Sequence, residues 1–170
     1  SVVTAAAMLP MAKRHRAAKL LSSAKYLPSN LDSHSSRITH MSDPHTNNKA
    51  LLAPVRQAMY DLDADLLKAA LRGLITPDAV IHMPHPLGDM SGPDAFFDHC
   101  YAPLLEAMPD LECRDWIVMG GRTDQGHDWV GCGGHYMGTF VAPWLDIPPT
   151  GHLAHMRFHE YYRFVDGKVV

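Results

Sequence analysis

The spacing of apolar residues changes once along this chain, near residue 111, from a helical period to strict alternation. Upstream, Leu51, Leu52, Val55, Met59 and Leu62 recur at the intervals of one helix face. Asp63 stands as the N-cap of a second helix over 63–74, which turns Leu66, Leu67, Ala70, Leu71 and Leu74 inward. Thr76-Pro77-Asp78 breaks that helix, 79–83 reads as a short strand, and 84–92, with its Pro and Gly, reads as a loop. Pro93 opens a third helix that runs through Phe96, Tyr101, Leu104, Leu105 and Met108 and stops at Pro109-Asp110. Downstream, strands are expected over 111–120, 127–140 and 152–165, and another begins at Lys168 after the Asp166-Gly167 turn. Helices first and an antiparallel meander afterwards is an α+β order, with helices covering one face of the sheet.

Charge sorts the chain into two parts. Residues 1–40 carry six Lys or Arg against the single acid Asp32, whereas residues 41–170 carry nine bases against seventeen acids. A nucleic-acid binder needs its basic surface on the folded part, and here that part is acidic, so no nucleic-acid partner is expected. No apolar run approaches the roughly 18 residues that span a bilayer, so no membrane partner is expected. Cys100, Cys113 and Cys132 are too few and too scattered for a disulfide framework or a thiolate zinc site. Free thiols in odd number suit a reducing cytoplasm.

Residues 1–48 read as a poorly ordered basic tail. Lys13-Arg14-His15-Arg16 followed by Ala17-Ala18-Lys19-Leu20-Leu21 has the pattern of a short basic amphipathic helix, and 29–48 is rich in Ser, Asn, His and Pro without apolar periodicity. The acid-poor composition has two readings, an organelle targeting segment or an over-extended gene start with translation beginning at Met41.

Several motifs of the remaining 49–170 carry a resemblance. Gly134-His135-Tyr136-Met137-Gly138-Thr139-Phe140 is followed by Ile147-Pro148-Pro149-Thr150-Gly151 and by Tyr162-Arg163-Phe164-Val165-Asp166-Gly167-Lys168. Upstream stand Pro77-Asp78-Ala79-Val80 and Ser91-Gly92-Pro93-Asp94-Ala95-Phe96. In this order and spacing they resemble the SnoaL-like polyketide cyclases of the nuclear transport factor 2-like superfamily. The resemblance implies a cone-shaped, curved antiparallel sheet with three N-terminal helices enclosing a pocket. It implies a homodimer formed through the convex face of the sheet, a hydrophobic small-molecule ligand, and no cofactor. Members include cyclases that close rings by intramolecular aldol condensation, isomerases, epoxide hydrolases and pocket proteins with no chemistry, so the fold leaves the reaction open.

Aldol chemistry needs a base to remove a proton alpha to a carbonyl and an acid to protonate the new alkoxide, and a carboxylate in a dry cavity suits both. Along 153–165, alternation puts Met156, Phe158, Glu160, Tyr162 and Phe164 on one face and His155, Arg157, His159, Tyr161 and Arg163 on the other. The first face is the pocket side, and Glu160 stands there as a lone carboxyl group, with a pKa expected to rise. The alternative is a structural carboxylate paired with a buried Arg or His. In cyclases with an assigned mechanism the matching position is a pocket histidine, and the family's acid/base aspartate lies about eight residues past Asp166, beyond Val170. The family's closing strand and terminal helix fall there too, which would leave an unpaired edge.

The catalytic candidates are therefore Glu160 and His82, the latter, like His85, beside Pro84 at the end of the first strand. His135, Tyr136, Trp129, Tyr162, Phe158 and Trp144 are the candidate substrate-binding residues, the aromatics as a cavity wall for a flat, multi-ring ligand, although aromatics of a barrel are equally plain core. His152, His155 and His159 do not converge on a strand, so no metal is expected. Gly131-Cys132-Gly133-Gly134 lacks the strand–loop–helix context of a phosphate loop and suits sheet curvature. Two functions follow: a cofactor-independent cyclase or isomerase acting on a hydrophobic carbonyl compound by general acid/base catalysis, or a non-catalytic dimeric small-molecule-binding domain.

Overall fold

Where the apolar period changes, the chain passes from helix to strand. The computed structural model describes residues 2–8 and 44–170. Helices α1 (Pro44–Ala50), α2 (Ala53–Tyr60) and α3 (Ala64–Leu74) come first. Asp63 caps α3 as its spacing predicts, accepting from the Leu66 N–H at 2.9 Å. Strands β2 (Val80–His82) and β3 (Asp89–Ser91) form a hairpin over the stretch that reads as loop, and α4 (Gly92–Phe96) follows. The third expected helix is continuous but changes character: α4 passes through a π-helical stretch, Phe97–Tyr101, into α5 (Ala102–Ala107). Pro103 in the first turn of α5 removes an N–H from the regular ladder, which fits a local change of pitch.

Long antiparallel strands β4 (Glu112–Arg122), β5 (Asp128–Thr139) and β6 (Leu153–Val165), with the two-residue β7 (Lys168–Val169), build the sheet. Its remaining strand, β1, comes from the other end of the sequence: Val2–Met8 pairs with β6 antiparallel and with β2 parallel. The order across the sheet is β3-β2-β1-β6-β5-β4. The expected tail over 1–48 therefore needs correction at both ends, since Val2–Met8 joins the sheet and α1 starts before Lys49. The physical reason is that β6 has two edges of backbone donors and acceptors, and β1 satisfies the one that β5 does not. The expected basic helix and targeting segment lie outside the described residues. So does the start at Met41.

Alternation along β6 sets the two faces of the sheet. Met156, Phe158, Glu160, Tyr162 and Phe164 are buried, whereas His155, Arg157, His159 and Tyr161 are exposed. On β5 the buried face continues through Val130, Cys132 and Tyr136, and these residues share one core with Val55, Met59, Leu67, Leu71, Phe96 and Tyr101 of the helices. At Gly134 a Cβ would stand 2.1 Å from the Arg114 carbonyl oxygen and 2.5 Å from Phe158 Cζ, so only glycine lets β4 and the Phe158 ring come this close. A bulge between Asp115 and Ile117 bends the outer strand beside it.

Candidate functional site

The inner face of β6 holds a carboxylate that the core should not tolerate by itself. Glu160 is 1% exposed and, among the described residues, is the single charged one that is fully buried. Three donors converge on it. Arg56 Nη2 donates to Oε2 at 2.6 Å, the Tyr162 hydroxyl donates to the same oxygen at 2.7 Å, and the Tyr136 hydroxyl donates to Oε1 at 2.8 Å. Arg56 also donates from Nε to Asp115 Oδ2 at 3.0 Å, so one guanidinium ties α2 to both β6 and β4. Its Cζ lies 5.4 Å from the centre of the Phe158 ring, which packs on Tyr136 at 4.6 Å.

Burial by itself would push the Glu160 carboxyl up. The charge and hydrogen bond of Arg56, with the two phenol hydroxyls, outweigh that and hold it below the usual carboxylate value. Glu160 is therefore an anion in the folded protein. The expectation of a lone carboxyl group with a raised pKa does not describe this geometry, because a neighbouring helix supplies the counter-charge. Burial and the Glu160 anion together push the hydroxyls of Tyr136 and Tyr162 up, so both stay protonated donors. Tyr101, from the π-helical stretch, is raised for the same two reasons. Its hydroxyl is buried beside Tyr136, and Arg56 Nη1 is buried with the Cys132 thiol nearby; neither atom makes a hydrogen bond of regular geometry among the described residues.

Of the residues singled out from sequence, Glu160, Tyr136, Tyr162 and Phe158 are brought together on the inner face. His82 is not. It pairs across the hairpin with Asp89, Nδ1 to Oδ1 at 2.9 Å, and both side chains are exposed. The register His82–Val3–Tyr161 puts His82 in the same row as the exposed Tyr161, on the face opposite Glu160. His85, in the loop after β2, is exposed as well. His135 and Trp129 also fall on the outer face, since they alternate with the buried Val130 and Tyr136. There the His135 ring packs edge-on against Trp116 at 3.9 Å, with His155 at 6.2 Å, and Arg157 lies 5.2 Å over the Trp116 ring. Trp144 is buried in the loop after β5, where its Nε1 has no partner among the described residues.

Two surface clefts are lined by described residues. One, of about 390 Å³, lies between the β4–β5 and β6–β7 turns and includes Arg122, His127, Asp128 and Arg163; the other adjoins α1. Neither is lined by Glu160. Among the described residues no three His, Cys, Asp or Glu side chains converge as metal ligands would, and no helix is long and apolar enough to cross a membrane.

The sequence reading passes over Arg56 and Asp115. A signal for Arg56 exists: it follows Leu52 by four and precedes Met59 by three, on the stripe that faces inward. A cation on that stripe calls for an anion across from it.

Comparison with known proteins agrees with this architecture. The family description SnoaL-like polyketide cyclase matches residues 54–170. Among solved structures, AclR of Streptomyces galilaeus, a candidate hydroxylase, is 25% identical with a TM-score of 0.58, over 74% of this chain and 75% of that one. A candidate SnoaL-like polyketide cyclase from Jannaschia sp. CCS1 is 21% identical with a TM-score of 0.63, over 78% and 86%. IdmH of Streptomyces antibioticus, a candidate polyketide cyclase, is 24% identical with a TM-score of 0.57, over 72% and 86%. No curated protein matches. With its helices over one face of a curved antiparallel sheet, and with that family's pattern running over more than half its length, the chain belongs to the SnoaL-like polyketide cyclase family.

Proposed function

We propose that the chain binds a hydrophobic, carbonyl-bearing small molecule of polyketide type between its helices and the inner face of its sheet, with Glu160 as a fixed anion and not as a proton shuttle. The observation that carries this reading is the set of three donors on Glu160, Arg56 among them at 2.6 Å. A general base for carbon acids works best with a pKa near the operating pH, and Arg56 moves Glu160 the other way. The anion instead orients a donor platform. Arg56 Nη1 and the Tyr101 hydroxyl, both buried and without a hydrogen bond of regular geometry among the described residues, are suited to a ligand carbonyl oxygen.

A second reading, cofactor-independent cyclisation or isomerisation of such a compound by general acid/base catalysis, is favoured by the family match and by the buried Tyr101 phenol, which can protonate an alkoxide. Titration calorimetry and turnover with one panel of polyketide-like ketones separate the two. Binding without turnover, weakened in Arg56→Met and Tyr101→Phe, supports the binding domain. Turnover that Tyr101→Phe or Glu160→Gln abolishes while binding persists supports the enzyme, and wild-type protein that binds no ketone overturns both. Dimerisation through the outer face belongs to either reading. It is supported by the exposed Trp116, Ile117 and Met119 of β4, and sedimentation velocity measures it. Three free thiols fit a reducing compartment.

A further inference from the structure

Arg56 is one cation shared by two carboxylates. Its Nη2 lies 2.6 Å from Glu160 Oε2, and its Nε lies 3.0 Å from Asp115 Oδ2. The register puts Asp115 in one row with Gly134 and Phe158, and the next row on the inner face holds Cys132 and Glu160. Asp115 stands at the bulge of β4, where Trp116 is the extra residue. Exposure rises along the cluster, from 1% at the Glu160 side chain through 16% at Arg56 to 24% at Asp115, so it meets solvent at the Asp115 end, between α2 and β4. Among the described residues neither carboxylate has a second cation in ion-pair contact. The cluster therefore keeps one negative charge in excess. Two thiols feel it. Burial comes first in pushing Cys113 and Cys132 up, to about 12 and about 11; Arg56 opposes, and Glu160 and Asp115 both add to the push.

We propose that Asp115 sets the charge of the ligand this site accepts: the oxygen received by Arg56 Nη1 and the Tyr101 hydroxyl belongs to a neutral group, a ketone, quinone or amide, and a carboxylate is rejected. This rests on the reading that a carbonyl compound binds there. A carboxylate brought to Nη1 gains the attraction of one cation but meets two anions already gathered on the same guanidinium, in surroundings too apolar to screen them. It must also give up its hydration with no second cation to replace it. A neutral carbonyl makes the same hydrogen bonds and escapes both costs. Rejection of this kind works through the repulsive element of a site. Asp115 is that element because it is the dispensable carboxylate. Glu160 also accepts from Tyr136 and Tyr162, whereas the Asp115 side chain bonds Arg56 alone among the described residues.

The test uses the full-length chain and two flat probes of one shape, the 2-carboxamide and the 2-carboxylate of anthraquinone, in titration calorimetry at pH 7. Wild-type protein is expected to bind the carboxamide at least tenfold more tightly. Asp115→Asn keeps an acceptor for Arg56 Nε and removes the charge, so the ratio of the two affinities is expected to fall at least threefold. Asp115→Glu returns the charge and is expected to return the ratio, which a merely structural part for Asp115 would not do. Equal binding of the two probes by wild type, or tighter binding of the carboxylate, overturns charge selection and leaves carbonyl binding standing. A ratio that Asp115→Asn leaves unmoved overturns the part given to Asp115, and the wild-type ratio decides the rest should that variant not fold. Wild type that binds neither probe overturns the inference together with the reading beneath it.

Discussion

Replacing Arg56 by methionine keeps an unbranched apolar stem and removes the counter-charge of Glu160. Breaking a buried ion pair from one side typically costs about 3–5 kcal/mol, because the remaining charge is left uncompensated. The upper part of that range is expected, since Glu160 is 1% exposed and Arg56 also holds Asp115. For a chain of this size the loss corresponds to a fall in Tm on the order of 10 °C. Its pH dependence is the sharper signature. In the wild type, the folded-state pKa of Glu160 lies below the ordinary 4.5. Its stabilising contribution is thus complete above that value and lost as pH falls through the folded value. In Arg56→Met, burial acts with no cation to oppose it and the folded pKa rises. The sign then inverts: the variant is most stable below the ordinary value and weakens as pH rises toward the raised one. Urea unfolding at pH 5 and pH 7 reads the difference, with the variant's deficit larger at pH 7. Adding Glu160→Gln removes the stranded charge and recovers much of the loss, and the pH dependence disappears. A deficit under about 1 kcal/mol, equal at both pH values, would refute the claim that Arg56 neutralises Glu160.

Tyr136→Phe and Tyr162→Phe each remove one hydrogen bond to the anion, so each is expected to lower stability by about 1.5–3 kcal/mol in urea titrations; a loss below about 0.5 kcal/mol in both would mean that Arg56 alone satisfies Glu160. Gly134→Ala drives a methyl against the Arg114 carbonyl and the Phe158 ring, an overpacking expected to cost at least about 1–3 kcal/mol, and wild-type thermal stability would show that β4 can move away freely. On the outer face, partial desolvation first and then the nearby Arg157 and His155 hold the His135 imidazole below its ordinary value, so NMR titration is expected to find a low midpoint that Arg157→Gln raises. An unmoved midpoint removes Arg157 as a cause.

What the sequence revealed depended on how far each signal reaches along the chain. Alternation over thirteen residues of β6 was enough to put Glu160, Tyr162 and Phe158 on one face, and the structure keeps them there. The same rule, applied to β5, separates the neighbours His135 and Tyr136, because adjacent residues of a strand cannot share a face. Chemical suitability for a ligand did not override that geometry. His82 sits on a strand of three residues, too short for any period to report its side, and only its register with Tyr161 through β1 settles it. Arg56 escaped because apolar periodicity counts carbon, and a cation inside the stripe looks like the edge of the stripe. The place of β1 was beyond local reading altogether. Its partners on β6 lie 148 to 160 residues away, and a segment of Val, Thr, Ala and Met carries no mark of which edge it will meet.

Strand β1 and the buried anion are coupled by position. β1 opposes Tyr162 with Val2 and Glu160 with Thr4, so the backbone that carries the anion and one of its three donors is the backbone that β1 pairs with. Displacing β1 opens that edge of β6 to water. Water lowers the desolvation cost of the Glu160 charge but also weakens the attraction of Arg56 and loosens the geometry of the phenol hydrogen bonds. A coupling between two events acts equally in both directions. If an ionised Glu160 stabilises the closed sheet through its donors, then protonating Glu160 must loosen β1. The folded-state pKa lies below the ordinary value, so the loosening begins only in acid, and it should disappear in Glu160→Gln, where nothing remains to titrate. Amide exchange of residues 2–8, corrected for its intrinsic pH dependence, follows this directly. Protection is expected to fall as pH drops through the Glu160 midpoint in the wild type and to stay level in Glu160→Gln. Parallel behaviour of the two proteins would mean that the strand docks without sensing the charge behind it.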